Sequence, residues 1–115
     1  MDKASKEIKK KSEILIEVGL DENHVPMQID WKASDGAGEG RSKAIMLAMW
    51  DEKEENTMRI DLWNKDMSIY DMQRFFHQSL MTMGDTYERA TGHKDHAAEI
   101  RHLARKFAEK AGILS

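Results

Sequence analysis

The chain has no cysteine, a single proline and no long apolar run. Without cysteine it can form neither a disulfide nor a thiol-based site. No stretch approaches the roughly 18 apolar residues that mark a membrane-spanning helix. The lysines of the N-terminus are not followed by the apolar segment of a secretory signal. We therefore expect a cytoplasmic protein without a membrane span.

Composition and charge indicate one small domain with a basic end. The 115 residues are 40% apolar and 34% charged, as in a globular chain that buries one modest core. Residues 1–11 hold five lysines against Asp2 and Glu7. We predict a basic, flexible tail over 1–11 and a single α+β domain over 12–115. Five lysines without an arginine or an aromatic residue are a weak nucleic-acid signal, so nucleic acid is not an expected partner.

The first half of the chain reads as antiparallel strands. Apolar residues alternate with polar ones over Ser12–Leu20 and again over Met27–Ser34, which is typical of half-buried strands. The short polar link between them favours antiparallel pairing. Asp35–Gly40 contains three glycines and is predicted to be a flexible loop. It lacks the spacing of a dinucleotide or phosphate-binding fingerprint.

A hairpin is predicted next. Ala44–Trp50 is apolar on both faces, which is typical of a strand in the centre of a sheet. A polar turn over Glu52–Asn56 leads to a strand with alternating residues. One side of that strand carries Met58, Ile60 and Leu62, and the other carries Arg59, Asp61 and Trp63.

Two helices complete the chain. Ser68 and Asp71 form a capping-box pattern, and Gly92 follows as a left-handed cap. An apolar stripe runs along this helix, through Ile69, Met72, Phe76, Leu80, Met83, Tyr87 and Ala90. A second helix is predicted over Asp95–Ala111. The expected fold is α+β: a four-stranded, mainly antiparallel sheet followed by two C-terminal helices packed on one face.

Catalytic and metal sites have little support. The five histidines do not converge, because His96 and His102 fall on nearly opposite faces of the second helix. Ion pairing on strand and helix surfaces accounts for the carboxylates. We expect surface histidines, no catalytic residue, no metal, no cofactor and no enzyme activity.

Partner binding is the better hypothesis for the residues that face away from the predicted core. Arg59, Asp61 and Trp63 are out of phase with the apolar side of their strand, and exposed aromatic surface usually marks a partner site. Trp50 and Trp31 are lesser candidates. The alternative is that Trp63 covers a second small apolar cluster.

Several segments of the chain resemble the gliding motility-associated protein GldC family. The resemblance covers roughly residues 12–110. Its most specific parts are Leu20–Asn23, Ile29–Gly36, Trp50-Asp51, Arg59–Trp63 and Asp85–Thr91.

The resemblance implies an accessory protein of bacterial gliding motility, without a recognised catalytic site. It also implies a protein partner in a motility system that is linked to type IX secretion. Self-association is left open. The alternative function is a small-ligand-binding or enzymatic domain with a pocket between sheet and helices.

Overall fold

The computed structural model describes residues 7–113, which fall into two compact units, residues up to 67 and residues from 68 onward. The first unit holds five strands: β1 (Ile14–Leu20), β2 (Pro26–Ala33), β3 (Gly38–Ser42), β4 (Ala44–Trp50) and β5 (Thr57–Trp63). The second holds two helices: α1 (Ile69–Thr91) and α2 (Lys94–Ala111). The predicted α+β class with two C-terminal helices is therefore confirmed. That residues 12–115 form one domain and that the helices cover the sheet remain predictions. Of the predicted tail, residues 1–6 lie outside the described part.

The strands form two antiparallel sheets, so the prediction of one four-stranded sheet is wrong. β1, β2 and β3 form a three-stranded sheet in that order, and β4 pairs with β5 in a two-stranded sheet. The chain bends at Lys43, between β3 and β4, and this bend separates the two ladders. β4 was expected to be a central strand, yet within residues 7–113 its strand partner is β5 alone.

The predicted glycine loop is instead half strand, because its glycines make room for a tryptophan. Trp31 lies opposite Gly40 in the β2–β3 ladder. A Cβ atom on Gly40 would come within 3.1 Å of Trp31 Nε1, and one on Gly38 within 3.2 Å of the same indole. Gly38 also has a φ of +138°, which favours glycine. Glycine here marks a close approach of side chain and backbone.

The three-stranded sheet buries one face around Ile29. Ile29 is fully buried and lies opposite Val18 on one side and Ser42 on the other. Ile16 and Trp31 pair next along the same face. The alternation predicted for β1 and β2 holds around Ile29, whereas Ile14, Leu20 and Met27 are more than half exposed. The two strands pair antiparallel as expected.

The link between β1 and β2 is organised by the Asp21 carboxylate. Its Oδ1 accepts hydrogen bonds from the backbone N–H groups of Asn23, at 2.7 Å, and Val25, at 3.0 Å. Its Oδ2 lies 2.6 Å from Lys65 Nζ, just beyond β5. The lysine contact and the two amides lower the pKa of Asp21 to about 2. Asp21 therefore ties the β1–β2 turn to the end of the hairpin.

The α1 and α2 termini follow the sequence prediction. Ser68 Oγ accepts a hydrogen bond from Asp71 N at 3.0 Å, and the Asp71 side chain returns to the Ser68 amide, so the capping box is confirmed. Gly92 and Gly112 end the two helices in the left-handed conformation. α2 begins one residue before the predicted start.

The two helices pack antiparallel through small residues. Contacts pair Phe76 with Phe107, at 6.5 Å between ring centroids, and Asp85 with Arg101, at 2.9 Å. From the first pair to the second, the residue number rises on α1 and falls on α2, so the helices are antiparallel. A Cβ atom on Gly84 would come within 2.9 Å of Arg101 Cγ, so glycine permits the approach. The fully or nearly buried residues of α2 are Ala97, Ala104 and Ala108.

The apolar stripe predicted for α1 is buried only in part. Ile69 is 80% exposed and Met83 is 55% exposed, whereas the buried residues of α1 are His77 and Gly84. Small residues such as Gly84 let the helix axes approach, while Phe76 also contacts α2.

Gly40→Ala should destabilise the three-stranded sheet, because the new Cβ atom would crowd the Trp31 indole. We expect a loss of about 1–3 kcal/mol in the free energy of unfolding, as for overpacked sites. Urea denaturation measures it. Gly19→Ala is the matched control, because its Cβ atom would make ordinary contacts at 3.7 Å. Equal effects of the two substitutions would contradict the close fit of Trp31.

Asp21→Asn should make stability less sensitive to acid. A folded-state pKa of about 2, below the ordinary 3.8, means that the ionised carboxylate stabilises the folded protein. That stabilisation is complete above pH ~5 and is lost as the pH falls through ~4 toward ~2. The difference in Tm between the wild type and Asp21→Asn should therefore shrink over this range.

Glu22→Gln, which removes an exposed carboxylate from the same turn, is the control for Asp21→Asn. Its Tm should follow that of the wild type down the pH series. Parallel curves for the wild type and Asp21→Asn would show that the Asp21 contacts do not stabilise the fold.

Candidate functional site

The register of the β4–β5 hairpin sorts its side chains into two faces. The two residues of each opposed pair, such as Leu47 with Ile60 or Ala48 with Arg59, project from the same face, and successive pairs alternate between the faces. One face, called here the aliphatic face, consists of Ile45, Leu47, Met49, Met58, Ile60 and Leu62. The other, called here the Trp face, consists of Ala44, Met46, Ala48, Trp50, Thr57, Arg59, Asp61 and Trp63. Four of the five predicted partner-binding residues therefore share one face.

An ion pair occupies the middle of the Trp face. Arg59 donates from Nη2 to Asp61 Oδ1 at 3.0 Å and from Nε to Asp61 Oδ2 at 3.2 Å. The two residues are two positions apart on one strand, so both side chains point the same way. A bidentate arrangement fixes both side chains and balances their charges. Opposite them in the ladder lie Met46 and Ala48.

The two tryptophans lie at opposite ends of the Trp face. Trp50 is 68% exposed beside the hairpin turn, and Trp63 is 55% exposed at the far end of β5. Their cross-strand neighbours, Thr57 and Ala44, are small. Six residues of strand separate the two positions, or about 20 Å at the rise of an extended chain. The face thus presents two indoles flanking a neutralised ion pair.

A shallow groove beside Trp63 adds residues that the sequence analysis did not select. Val25, Pro26 and Leu62 line this groove of about 250 Å³ together with Asp61 and Trp63. The Asn64 side chain donates to the Met27 carbonyl at 3.4 Å and so links the segment after β5 to β2. Pro26, the single proline of the chain, is the first residue of β2. Its value as a rigid apolar wall depends on a neighbour 37 positions away, which no local pattern reveals.

Trp31 is separate from the other four predicted residues. It lies in the three-stranded sheet, half-buried over Gly38 and Gly40. Its indole packs on its own sheet, and that packing gives it a structural role. A partner role for Trp31 remains a prediction.

The polar face of the three-stranded sheet carries a broad open groove of about 670 Å³. Asp30 and Arg41 are paired across it at 2.8 Å, and Gln28 Nε2 donates to the same carboxylate at 2.9 Å. These contacts lower the pKa of Asp30, Arg41 making the larger contribution. A lowered carboxyl pKa suits an ion pair, whereas a general acid at neutral pH needs a raised one. The groove is thus a sheet surface that carries charged side chains.

Four of the five histidines belong to the helical unit, and His24 lies in the turn between β1 and β2. Tyr87 Oη lies 2.9 Å from His96 Nδ1, and the His93 and His96 rings are 5.1 Å apart at the start of α2. His77 is buried in α1, which corrects the prediction that all histidines lie on the surface. Within residues 7–113, no three side chains of the metal-binding types are grouped to hold an ion.

Membrane association through a spanning helix finds no candidate in the described part of the chain. Neither α1 nor α2 combines the length and the apolar character that crossing a bilayer requires.

Comparison with known proteins gives one family. A search of curated proteins finds no match, and a search of solved structures finds none. A family model described as gliding motility-associated protein GldC-like matches residues 26–113. This range includes strands β2 to β5 and both helices. The chain therefore belongs to the GldC-like family of gliding motility-associated proteins.

Proposed function

We propose that this chain is a non-catalytic, cytoplasmic accessory protein of bacterial gliding motility that acts by binding a protein partner. Membership of the GldC-like family supports the motility context. The partner, in this proposal, is a component of the gliding and type IX secretion machinery. The Trp face of the β4–β5 hairpin is the contact surface.

The observation that carries this proposal is the concentration of exposed tryptophan on one face of a short hairpin. Trp50 and Trp63 are both more than half exposed. Tryptophan, tyrosine and arginine are the residues most enriched where binding energy is concentrated at interfaces. The Trp face carries two tryptophans and an arginine along a ladder of seven residue pairs. Burial of each indole on a partner would remove up to about 150–250 Å² from water.

The ion pair gives this surface selectivity. Two of the N–H groups of Arg59 are used by Asp61, and a guanidinium has five. In this proposal the remaining donors bind a partner acceptor, such as a backbone carbonyl or a carboxylate. Because the pair is already formed, binding orders little that was free. The preferred partner surface is apolar at its ends and carries acceptors at its centre.

The character of the charged groups supports the non-catalytic part of the proposal. Arg59 and Asp61 on the hairpin form one ion pair. Asp30 and Arg41 on the polar face of the three-stranded sheet form another, and the lowered pKa of Asp30 keeps that carboxylate ionised. Enzymes instead arrange carboxyls or amines with pKa values moved toward neutrality.

Trp63→Ala should weaken partner capture while the fold stays intact. Affinity capture from a gliding bacterium, followed by mass spectrometry, identifies the partner, and titration of the purified pair measures the effect. We expect the Kd to rise about 10-fold or more, as for a central interface tryptophan. The Tm should stay within a few degrees, because the side chain is already half exposed.

Tyr70→Ala is the matched control, because Tyr70 is a similarly exposed aromatic residue on α1. It should leave the Kd unchanged. If Trp63→Ala instead lowers the free energy of unfolding by about 3 kcal/mol or more, Trp63 belongs to a core and the Trp face is not the interface. An unchanged Kd with an intact fold would also refute the assignment.

A further inference from the structure

Among residues 7–113, no strand pairs with the outer edge of β4, which carries backbone N–H and C=O groups. The ladder with β5 is fixed at one end by a 2.8 Å bond from Asn64 N to the Lys43 carbonyl. At the other end Asp51 N donates to the Asn56 carbonyl, also at 2.8 Å. Hydrogen-bonded and non-hydrogen-bonded pairs alternate along an antiparallel ladder. Every second residue of β4 therefore directs its backbone N–H and C=O groups away from β5. The residues whose N–H and C=O point outward are Ala44, Met46, Ala48 and Trp50.

β4 also lacks the devices that normally protect an edge strand. Charged side chains, proline and bulges discourage pairing with another chain. The other edge strands each carry one: a bulge between Gly19 and Leu20 in β1, Glu39 and Arg41 in β3, and Arg59 and Asp61 in β5. The sequence of β4, AIMLAMW, has no charge, proline or glycine.

The composition of β4 is that of a strand with neighbours on both sides. Strands that are apolar on both faces normally lie inside sheets. A two-stranded sheet by itself is at best marginally stable in water. Within residues 7–113, β4 has one neighbouring strand, β5.

We propose that β4 pairs with the β4 strand of a second copy of this chain. The two strands run antiparallel about a two-fold axis at Leu47. The two hairpins then form one four-stranded sheet, in the order β5, β4, β4 of the second copy and β5 of the second copy. Such a contact is isologous, since each chain offers the same surface.

The register centred on Leu47 satisfies the backbone of the whole strand. It places Ala44 opposite Trp50 of the second copy and Met46 opposite Ala48 of the second copy. These are the residues whose N–H and C=O groups point outward, so they become the hydrogen-bonded pairs. A shift by one residue would oppose outward groups to inward ones. A shift by two would leave the end of the strand unpaired.

Side-chain sizes match in the same register. On the Trp face, each large residue meets an alanine of the other chain, because Trp50 lies against Ala44 and Met46 against Ala48. On the aliphatic face, Ile45 meets Met49 and Leu47 meets itself. Alternation of large and small residues at facing positions is how sheet faces fill space. No charged side chain of β4 opposes another, so the pairing brings no repulsion.

This inference is independent of the proposed function. It uses the backbone edge and the side chains of β4, whereas partner binding uses chiefly the β5 side chains of the Trp face. Trp50 has a part in both. Loss of the dimer would leave Arg59, Asp61 and Trp63 in place. Each idea can therefore fail without the other.

Molar mass in solution provides the first test, by light scattering across a dilution series of the full chain. We expect about twice the 13.3 kDa of one chain. Ala48→Pro removes an N–H that points to the second copy and leaves the β5 ladder intact, so its mass should fall to that of one chain. Ala48→Ser retains the N–H at nearly the same size and should stay dimeric.

Single cysteines provide the second test, because the chain has none of its own. Leu47→Cys would place two thiols in the central non-hydrogen-bonded pair. Cα atoms in such a pair lie about 4.5 Å apart, and a disulfide spans about 4.4–6.8 Å. Oxidation should link this variant to itself. Ile45→Cys and Met49→Cys should each link poorly alone but should link to one another when mixed, which reports the register.

Three results would overturn the proposal. One is a wild type with the mass of one chain at every concentration. Another is a folded Ala48→Pro variant that remains dimeric. The third is a dimer in which neither Leu47→Cys nor the mixed Ile45→Cys and Met49→Cys pair forms the disulfide. If Ala48→Pro does not fold, the cysteine variants decide the question by themselves.

Discussion

The hairpin turn from Asp51 to Asn56 sets the register on which the candidate site depends. Asp51 N donates to the Asn56 carbonyl at 2.8 Å, and Glu55 N donates to the Asp51 carbonyl at 2.9 Å. The Asp51 carboxylate accepts from Glu54 N at 2.6 Å, and Glu55 takes a φ of +54° to close the turn. Side chains alternate along a strand, so a slip of one residue would exchange the Trp and aliphatic faces. The same slip would turn the free edge of β4 inward.

The edge of β4 and the outward side chains of β5 serve separate contacts in this arrangement. Faces are determined by side-chain alternation, whereas the edge is determined by N–H and C=O directions, and the two are perpendicular. Arg59 and Asp61 on β5 therefore neither assist nor obstruct pairing along β4. In a paired sheet the Trp faces of both copies would lie side by side. A partner with repeated sites would then meet two of them together, and avidity would strengthen binding.

Local patterns in the sequence predicted much of the fold. Alternation located β1, β2 and β5, the apolar run located β4 at its observed bounds, and the Ser68–Asp71 pattern located the start of α1. The errors came from contacts distant in sequence. Gly38 and Gly40 signal a loop until Trp31 is known to lie over them. The stripe through Ile69 and Met83 signals a buried face of α1, yet both residues are more than half exposed.

The candidate site was predictable in part for the same reason. The phase of Arg59, Asp61 and Trp63 follows from period-two alternation, which survives any arrangement of the sheets. That Trp50 shares their face required the β4–β5 register, and that Trp31 does not required the division into two sheets. Pro26 and Val25 join the Trp63 groove only through tertiary contact. The division of one sheet into two depends on a single bend at Lys43, which has no strong sequence signal.

The three tryptophans differ in surroundings, and this makes the chain its own optical reporter. Trp31 is half-buried against glycine backbone, whereas Trp50 and Trp63 are mostly open to water at the two ends of one face. Indole emission shifts to shorter wavelength when water is removed from the ring. A ligand on the Trp face would change the emission of two fluorophores and leave the third as an internal reference. Occupancy of the hairpin is thus readable without a label.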